Sequence, residues 1–262
     1  MGAMLNGLAA HGGLIPFGAT FLIFSDYMRP SMRLAALSRL HVVYVFTHDS
    51  IALGEDGPTH QPVEQLLSLR AIPNMVVIRP ADANETAASW RVAIEHRDGP
   101  VALVLSRQSL PVLGLDTYPQ LDSGVRAGGY VLARENGDAP PDIILIASGS
   151  EVSLALDVHK KLGAEGVRSR VVSLPSWNLF DKQPGEYREA VLPPRVPMLA
   201  IEAGTPLGWR SYTGEGPEVV GVTHFGASAP EKVLMEKYGF DVDQVTRKAL
   251  VLIRQPENAE RG

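Results

Sequence analysis

Three cation-capable side chains stand just beyond short apolar runs, where they could bind an anion. His48 follows the run 42–46 across one Thr, Arg79 follows 75–78 directly, and Arg107 follows 101–105 across one Ser. In open α/β sheets, ligands sit outside the carboxyl ends of the strands, so cations there suit an anionic ligand such as a sugar phosphate. For Arg79, which precedes Pro80, the simpler reading is a pair with a carboxylate or a cap on carbonyls. The loop 47–62, THDSIALGEDGPTHQP, packs two His, two Asp and one Glu between a strand and a helix, together with two Gly and two Pro that fix its turns. Titratable groups on a rigidly turned loop at a strand's carboxyl end make a site candidate. The competing reading is a solvated turn in which Asp49 and Asp56 bond their own backbone.

Other chemistries fit the residues less well. A metal held by His48, Glu55, Asp56 and His60 lacks the usual ligand spacings. A hydrolase built on His48, Asp49 and Ser50 lacks a nucleophile elbow, and adjacent side chains on an extended loop point apart. The turn ASGSE, 147–151, opens a helix and would suit an anion. It has neither glycine-rich phosphate pattern, so Ser150 reads first as a simple helix cap. Phe21, Phe24 and Tyr27 recur every third residue, which reads first as core packing and second as a wall for a flat heteroaromatic ring.

Elements that would position these residues alternate along the chain. The runs 14–17, 42–46, 75–78 and 101–105 are too short for helices and rich in β-branched residues, so they predict central strands. Helical spacing covers 21–39, 62–70 and 82–96, with Asp82 and Glu85 as a capping box for the last. The second series has strands at 143–147, 170–174, 198–201 and 219–222, and helices at 150–162, 230–238 and 242–253. Runs apolar on both faces predict mainly parallel sheets covered on both sides. The fold class is therefore α/β in two domains, 1–110 and 130–262, joined by a linker at 111–129 whose Gly and Pro break every periodic pattern. The helix-like run 1–10 has no capping residue before it, and the last eight residues predict a frayed tail.

Composition narrows the class. Lys and Arg total 24 against 29 Asp and Glu, a net charge of −5 without a long run of either sign, so no nucleic-acid or anionic-membrane partner is expected. Cysteine is absent, which removes disulfides, thiolate metal sites and cysteine nucleophiles. With no apolar stretch of membrane length and no signal-like start, a cytoplasmic protein is expected.

Here the motifs identify a resemblance. GEDGPTHQPVEQ at 54–65, preceded by THDS and followed by LSRQ at 105–108, resembles transketolase, the thiamine-diphosphate enzyme family of the pentose phosphate pathway. NGLAAHGG, FLIFSDY, RPAD, GSEV, FDKQ, EAG and FGASAP extend the likeness in order along nearly the whole chain. The resemblance implies a pyrimidine-binding domain followed by a transketolase C-terminal-like domain. It also implies an N-terminal domain elsewhere that holds the cofactor diphosphate and its Mg or Ca ion.

Further expectations follow from the resemblance. Phe21, Phe24 and Tyr27 fall on the family's aromatic wall around the aminopyrimidine, and His60 beside the cofactor amino group and the substrate carbonyl. His48 and Arg107 fall on substrate positions, with Arg107 toward the phosphate, and Asp56 on the carboxylate that reads substrate hydroxyls. His60 and His48 would be the catalytic pair. The cofactor would supply the carbanion for two-carbon ketol transfer between sugar phosphates. The glutamate that activates it would lie three residues before Met1, so this chain by itself is expected to be inactive. A homodimer, or a complex with an N-terminal transketolase domain, would complete the site. The alternative is a non-catalytic remnant acting as a binding or assembly module. Deoxyxylulose phosphate synthases and oxo-acid dehydrogenase β-subunits share the architecture but are not expected to carry both GEDGPTHQP and LSRQ.

Overall fold

The computed structural model describes residues 1–214 and 219–254. The tail expected over the last eight residues lies outside the described residues. In the first half, α1 (Gly2–His11) precedes β1 (Phe17–Phe21), α2 (Ser25–Leu37), β2 (Val43–Thr47), α3 (Gln65–Arg70), β3 (Val76–Ile78), α4 (Ala83–Glu95) and β4 (Val101–Val104). The four strands form one parallel sheet in the order β1-β2-β4-β3. Every residue of β3 and β4 is buried, as continuous apolar runs require of a sheet covered on both faces. Tyr44, Phe46, Val77 and Val104 pack with Leu5, Met32 and Leu69 from α1, α2 and α3, while Val43, Val45 and Ile78 pack with Val92 and Ala93 of α4.

The second half contains α5 (Leu121–Ala127), β5 (Tyr130–Ala133), β6 (Ile143–Ala147), α6 (Glu151–Ala164), β7 (Ser169–Ser173), α7 (Trp177–Phe180) and α8 (Gly185–Val191). It continues with β8 (Met198–Ile201), α9 (Arg210–Thr213), β9 (Val219–Val220), α10 (Glu231–Lys237) and α11 (Val242–Arg254). Its sheet has the order β5-β7-β6-β8-β9, parallel except for β5 against β7. One face packs on α6 and α11, the other on Trp177, Phe180 and Trp209. The α/β architecture with two mainly parallel sheets is therefore as expected. Among the described residues no helix is long and apolar enough to cross a membrane.

Local expectations fail in instructive places. The first strand lies at Phe17–Phe21 rather than 14–17; it is an edge strand, half exposed, so its residues lack the apolar run that marks a central strand. Phe21 closes that strand, Phe24 sits in a 3₁₀ turn, and only Tyr27 lies in α2, so the three aromatics do not share one helix. Helix α5 forms inside 111–129 despite Gly124, because Leu121 and Val125 bury against the second core and Gly128, at φ 86°, ends the helix. At α4, Asp82 accepts from the Glu85 amide as a capping box requires. The Glu85 carboxylate instead accepts from the Ala81 amide, the Tyr130 hydroxyl and the Ser173 hydroxyl. Ser150 precedes α6 but makes no capping bond; its hydroxyl donates to Glu151.

Candidate functional site

His48 leaves β2 with φ 60°, a left-handed conformation that costs a non-glycine residue free energy. That twist sends neighbouring side chains opposite ways. The His48 imidazole stacks on Phe21, ring centroids 3.7 Å apart and 23° from parallel, while the next residue, Asp49, turns into the interior. Phe21 and Phe24 lie 6.0 Å apart and only 13° from parallel, and Tyr27 continues the series at 6.1 Å from Phe24. His60 stands edge-on to both phenylalanines, at 6.4 and 5.8 Å. The two phenylalanines are half-buried and Tyr27 is 85% exposed, so the wall keeps open ring surface. Half-exposed, nearly parallel rings with a polar edge fit a flat heteroaromatic group.

Electrostatics draw the remaining expected residues to the same place. Partial burial and the Arg107 guanidinium hold the His48 imidazole below its ordinary pKa, against the opposing pull of Asp56 and Asp49. Arg107 and Asp56 are exposed and within electrostatic reach of His48. The two histidine rings each have one nitrogen tied to a neighbouring threonine hydroxyl, Nδ1 of His48 to Thr47 and Nδ1 of His60 to Thr59, both at 2.9 Å. That leaves each Nε2 for a ligand. Among the described residues no group of His, Asp and Glu is arranged to hold a metal ion.

Arg79 belongs elsewhere. It is 1% exposed and ion-paired to Asp49 at 2.7 Å and Glu151 at 2.5 Å, and it donates to the Ser148 carbonyl. The carboxylates of Glu151 and Asp49 raise its pKa against the cost of burial. The simpler reading of Arg79 therefore holds, and the Asx-turn reading of Asp49 does not. Arg79 also blocks the ASGSE turn: a Cβ on Gly149 would meet its guanidinium carbon at 2.6 Å. Beside it, Arg70 pairs with Glu202 through two 2.8 Å bonds and lies 4.0 Å over the Trp177 ring. Glu202 also accepts from the Ser148 hydroxyl and from Trp209 Nε1. Burial would raise the Glu202 pKa, but Arg70 prevails and holds it at about 2.

The sequence points to Arg79 and the ASGSE turn of this seam but not to Arg70 and Glu202, although the same strand-end rule reaches Glu202. Ser148 follows β6 and Glu202 follows β8, neighbouring strands whose connections run to opposite sides of the sheet. Such a switch point is where an open sheet ordinarily receives a ligand. Here it receives the two arginines of the first half. Gln61 was missed too: it is 1% exposed and its amide nitrogen lies 2.9 Å from the Ala227 carbonyl.

Comparison with known proteins adds the family. Residues 1–112 match the family described as "Transketolase, pyrimidine binding domain", and residues 128–241 match "Transketolase-like TK C-terminal domain". The transketolase of Halalkalibacterium halodurans is 56% identical over 97% of this chain, and the chain spans 38% of that relative's length. The solved transketolase of Leishmania mexicana superposes with a TM-score of 0.90 at 47% identity, covering 100% of this chain and 37% of that one. A third structure, described as "Split gene transketolase, inactive beta4 tetramer", has a TM-score of 0.78 at 26% identity, covering 97% of this chain and 81% of its own.

Proposed function

The chain belongs to the transketolase family, and we propose that the surface bearing Phe21, Phe24, His48 and His60 is the pyrimidine half of a thiamine diphosphate site. The observation that carries the reading is convergence. Two parallel aromatic rings, two histidines with free Nε2 atoms, an arginine and an aspartate come from separate elements to one sheet end. In this reading 1–110 is the pyrimidine-binding domain, 111–129 the linker and 130–262 the C-terminal domain. The cofactor diphosphate, its metal ion and the activating glutamate come from outside these residues.

Phe21 and Phe24 hold the aminopyrimidine by stacking, and Tyr27 extends the wall. When bound, the cofactor supplies the carbanion needed to break a ketose C2–C3 bond and pass two carbons to an aldose. His60 and His48 donate to oxygens that gain charge and move protons; His48, with its lowered pKa, is mostly neutral at pH 7 and can do either. Arg107 receives the sugar phosphate and Asp56 accepts from sugar hydroxyls.

The test is co-expression with the diphosphate-binding domain of a transketolase, followed by an assay with xylulose 5-phosphate and ribose 5-phosphate. The chain alone should show no transfer and the complex should show it. The related structure described as an inactive tetramer supports a second reading, an assembly module without chemistry. A stable but inactive complex would favour that module.

A further inference from the structure

We infer that the loop 224–230 of the second half is a positioning element for His60 and Asp56, acting through Gln61 and Ser228. The inference rests on the reading of His60 as a site residue. It also gives the second half a role in the site although, among the described residues, none of its side chains joins the aromatic wall.

The loop that carries His60 has few internal supports. The Gly57 amide donates to Gly54 O at 3.2 Å and the His60 amide to Gly57 O at 3.0 Å, across two glycine-bounded turns. Segments of this kind have many accessible conformations unless tied down from outside. The tie is Gln61, next to His60 in sequence. Its Nε2 lies 2.8 Å from Gly54 O, 2.9 Å from Ala227 O and 3.3 Å from Ile51 O. An amide group has two protons, so the two shortest contacts take them: one on the histidine's own loop and one on the far half of the chain. The reverse amide orientation would set an oxygen against three carbonyls, which fixes the assignment.

A second, separate tie lies on the other side of the loop. The Ser228 hydroxyl donates to the Glu55 carbonyl at 2.5 Å, immediately before Asp56. The contact surface is shaped for backbone approach. A Cβ on Gly226 would lie 1.7 Å from Gln61 Oε1, and one on Gly57, at φ 79°, would meet Ser228 at 3.4 Å. Gly226 is thus required because Gln61 fills the space where a side chain would go. Gly54, at φ 92°, has its open side 3.6 Å from Ala229 O and Glu231 N. His60 and Asp56 are therefore both set from one strip, 226–229, while the histidine ring itself stays free to meet a ligand.

The test is amide hydrogen exchange on the full chain, comparing the parent with Gln61→Ala, Ser228→Ala and Ser228→Thr. Protection at the Gly57 and His60 amides should fall about tenfold in Gln61→Ala and by less in Ser228→Ala, and should return in Ser228→Thr. The amides of β2 and β6 should exchange as before. In the complex with a transketolase diphosphate-binding domain, Gln61→Ala should lower kcat about 10²-fold, the cost of displacing a reacting group by roughly 1 Å, with little change in KM. Unchanged exchange at Gly57 and His60 in Gln61→Ala would overturn the inference. If that variant does not fold, Ser228→Ala, on an exposed hydroxyl, decides in its place. Should the parent complex itself show no transfer, the functional reading fails while the exchange experiment still decides the positioning role.

Discussion

Arg79 and Arg107 begin from the same situation, each just past the carboxyl end of a buried parallel strand, and end in opposite environments. Arg79 is sealed between Asp49 and Glu151, and Arg107 stands in solvent beside His48. The divergence is set by what each strand end faces. β3 ends against the second half, whose own switch point offers carboxylates. β4 ends on the open rim with the aromatic wall. His48 and Asp49 repeat the contrast within one dipeptide, one side chain to the rim and one to the seam. A cation at a strand end thus stays open to solvent or becomes a structural bolt according to whether a buried carboxylate reaches it.

Four changes would break or sharpen this contrast. The largest effect belongs to the seam: Arg79→Met strands two buried carboxylates and should cost about 3–5 kcal/mol in denaturant unfolding. Arg107→Met should change stability by less than about 0.5 kcal/mol. Equal costs would erase the distinction. Next, the seam should respond to acid. Glu202 has a folded pKa of about 2, below its unfolded value, so its contribution is complete above the unfolded pKa and is lost as pH falls toward 2. The lost stability is on the order of 3 kcal/mol. Glu202→Gln should flatten that acid limb in unfolding curves taken between pH 5 and 2.

At the rim the effects are on binding. In the complex with a diphosphate-binding domain, Arg107→Ala should weaken sugar phosphate binding by roughly 2 kcal/mol, read by calorimetry, while Arg107→Lys recovers part of it. The smallest effect is a titration. The His48 ring signals should titrate below the ordinary imidazole value, and Arg107→Ala should move the midpoint upward because a positive neighbour is removed. An unchanged midpoint would place Arg107 away from His48.

Much of this organisation was legible in sequence, and the gaps have physical causes. Central strands such as Val101–Val104 declare themselves because both faces are buried. The edge strand Phe17–Phe21 and the four-residue helices Trp177–Phe180 and Arg210–Thr213 do not, since one lacks an apolar run and the others are shorter than a helical period can reveal. Position after a strand correctly gathered His48 and Arg107 at one rim, but it grouped Arg79 with them. No local signal distinguishes an arginine whose carboxylate partner lies 72 residues away. Gln61 is harder still, with its partner 166 residues distant. Its clamp was silent until both loops were in place.

The central claim is that the aromatic rim is the pyrimidine half of a cofactor site, and thiamine diphosphate titration of the reconstituted complex tests it most directly. With Phe21→Ala and Phe24→Ala combined, the account predicts binding weaker by about tenfold or more, with the fold and the complex intact. Unchanged affinity in that double variant would contradict it.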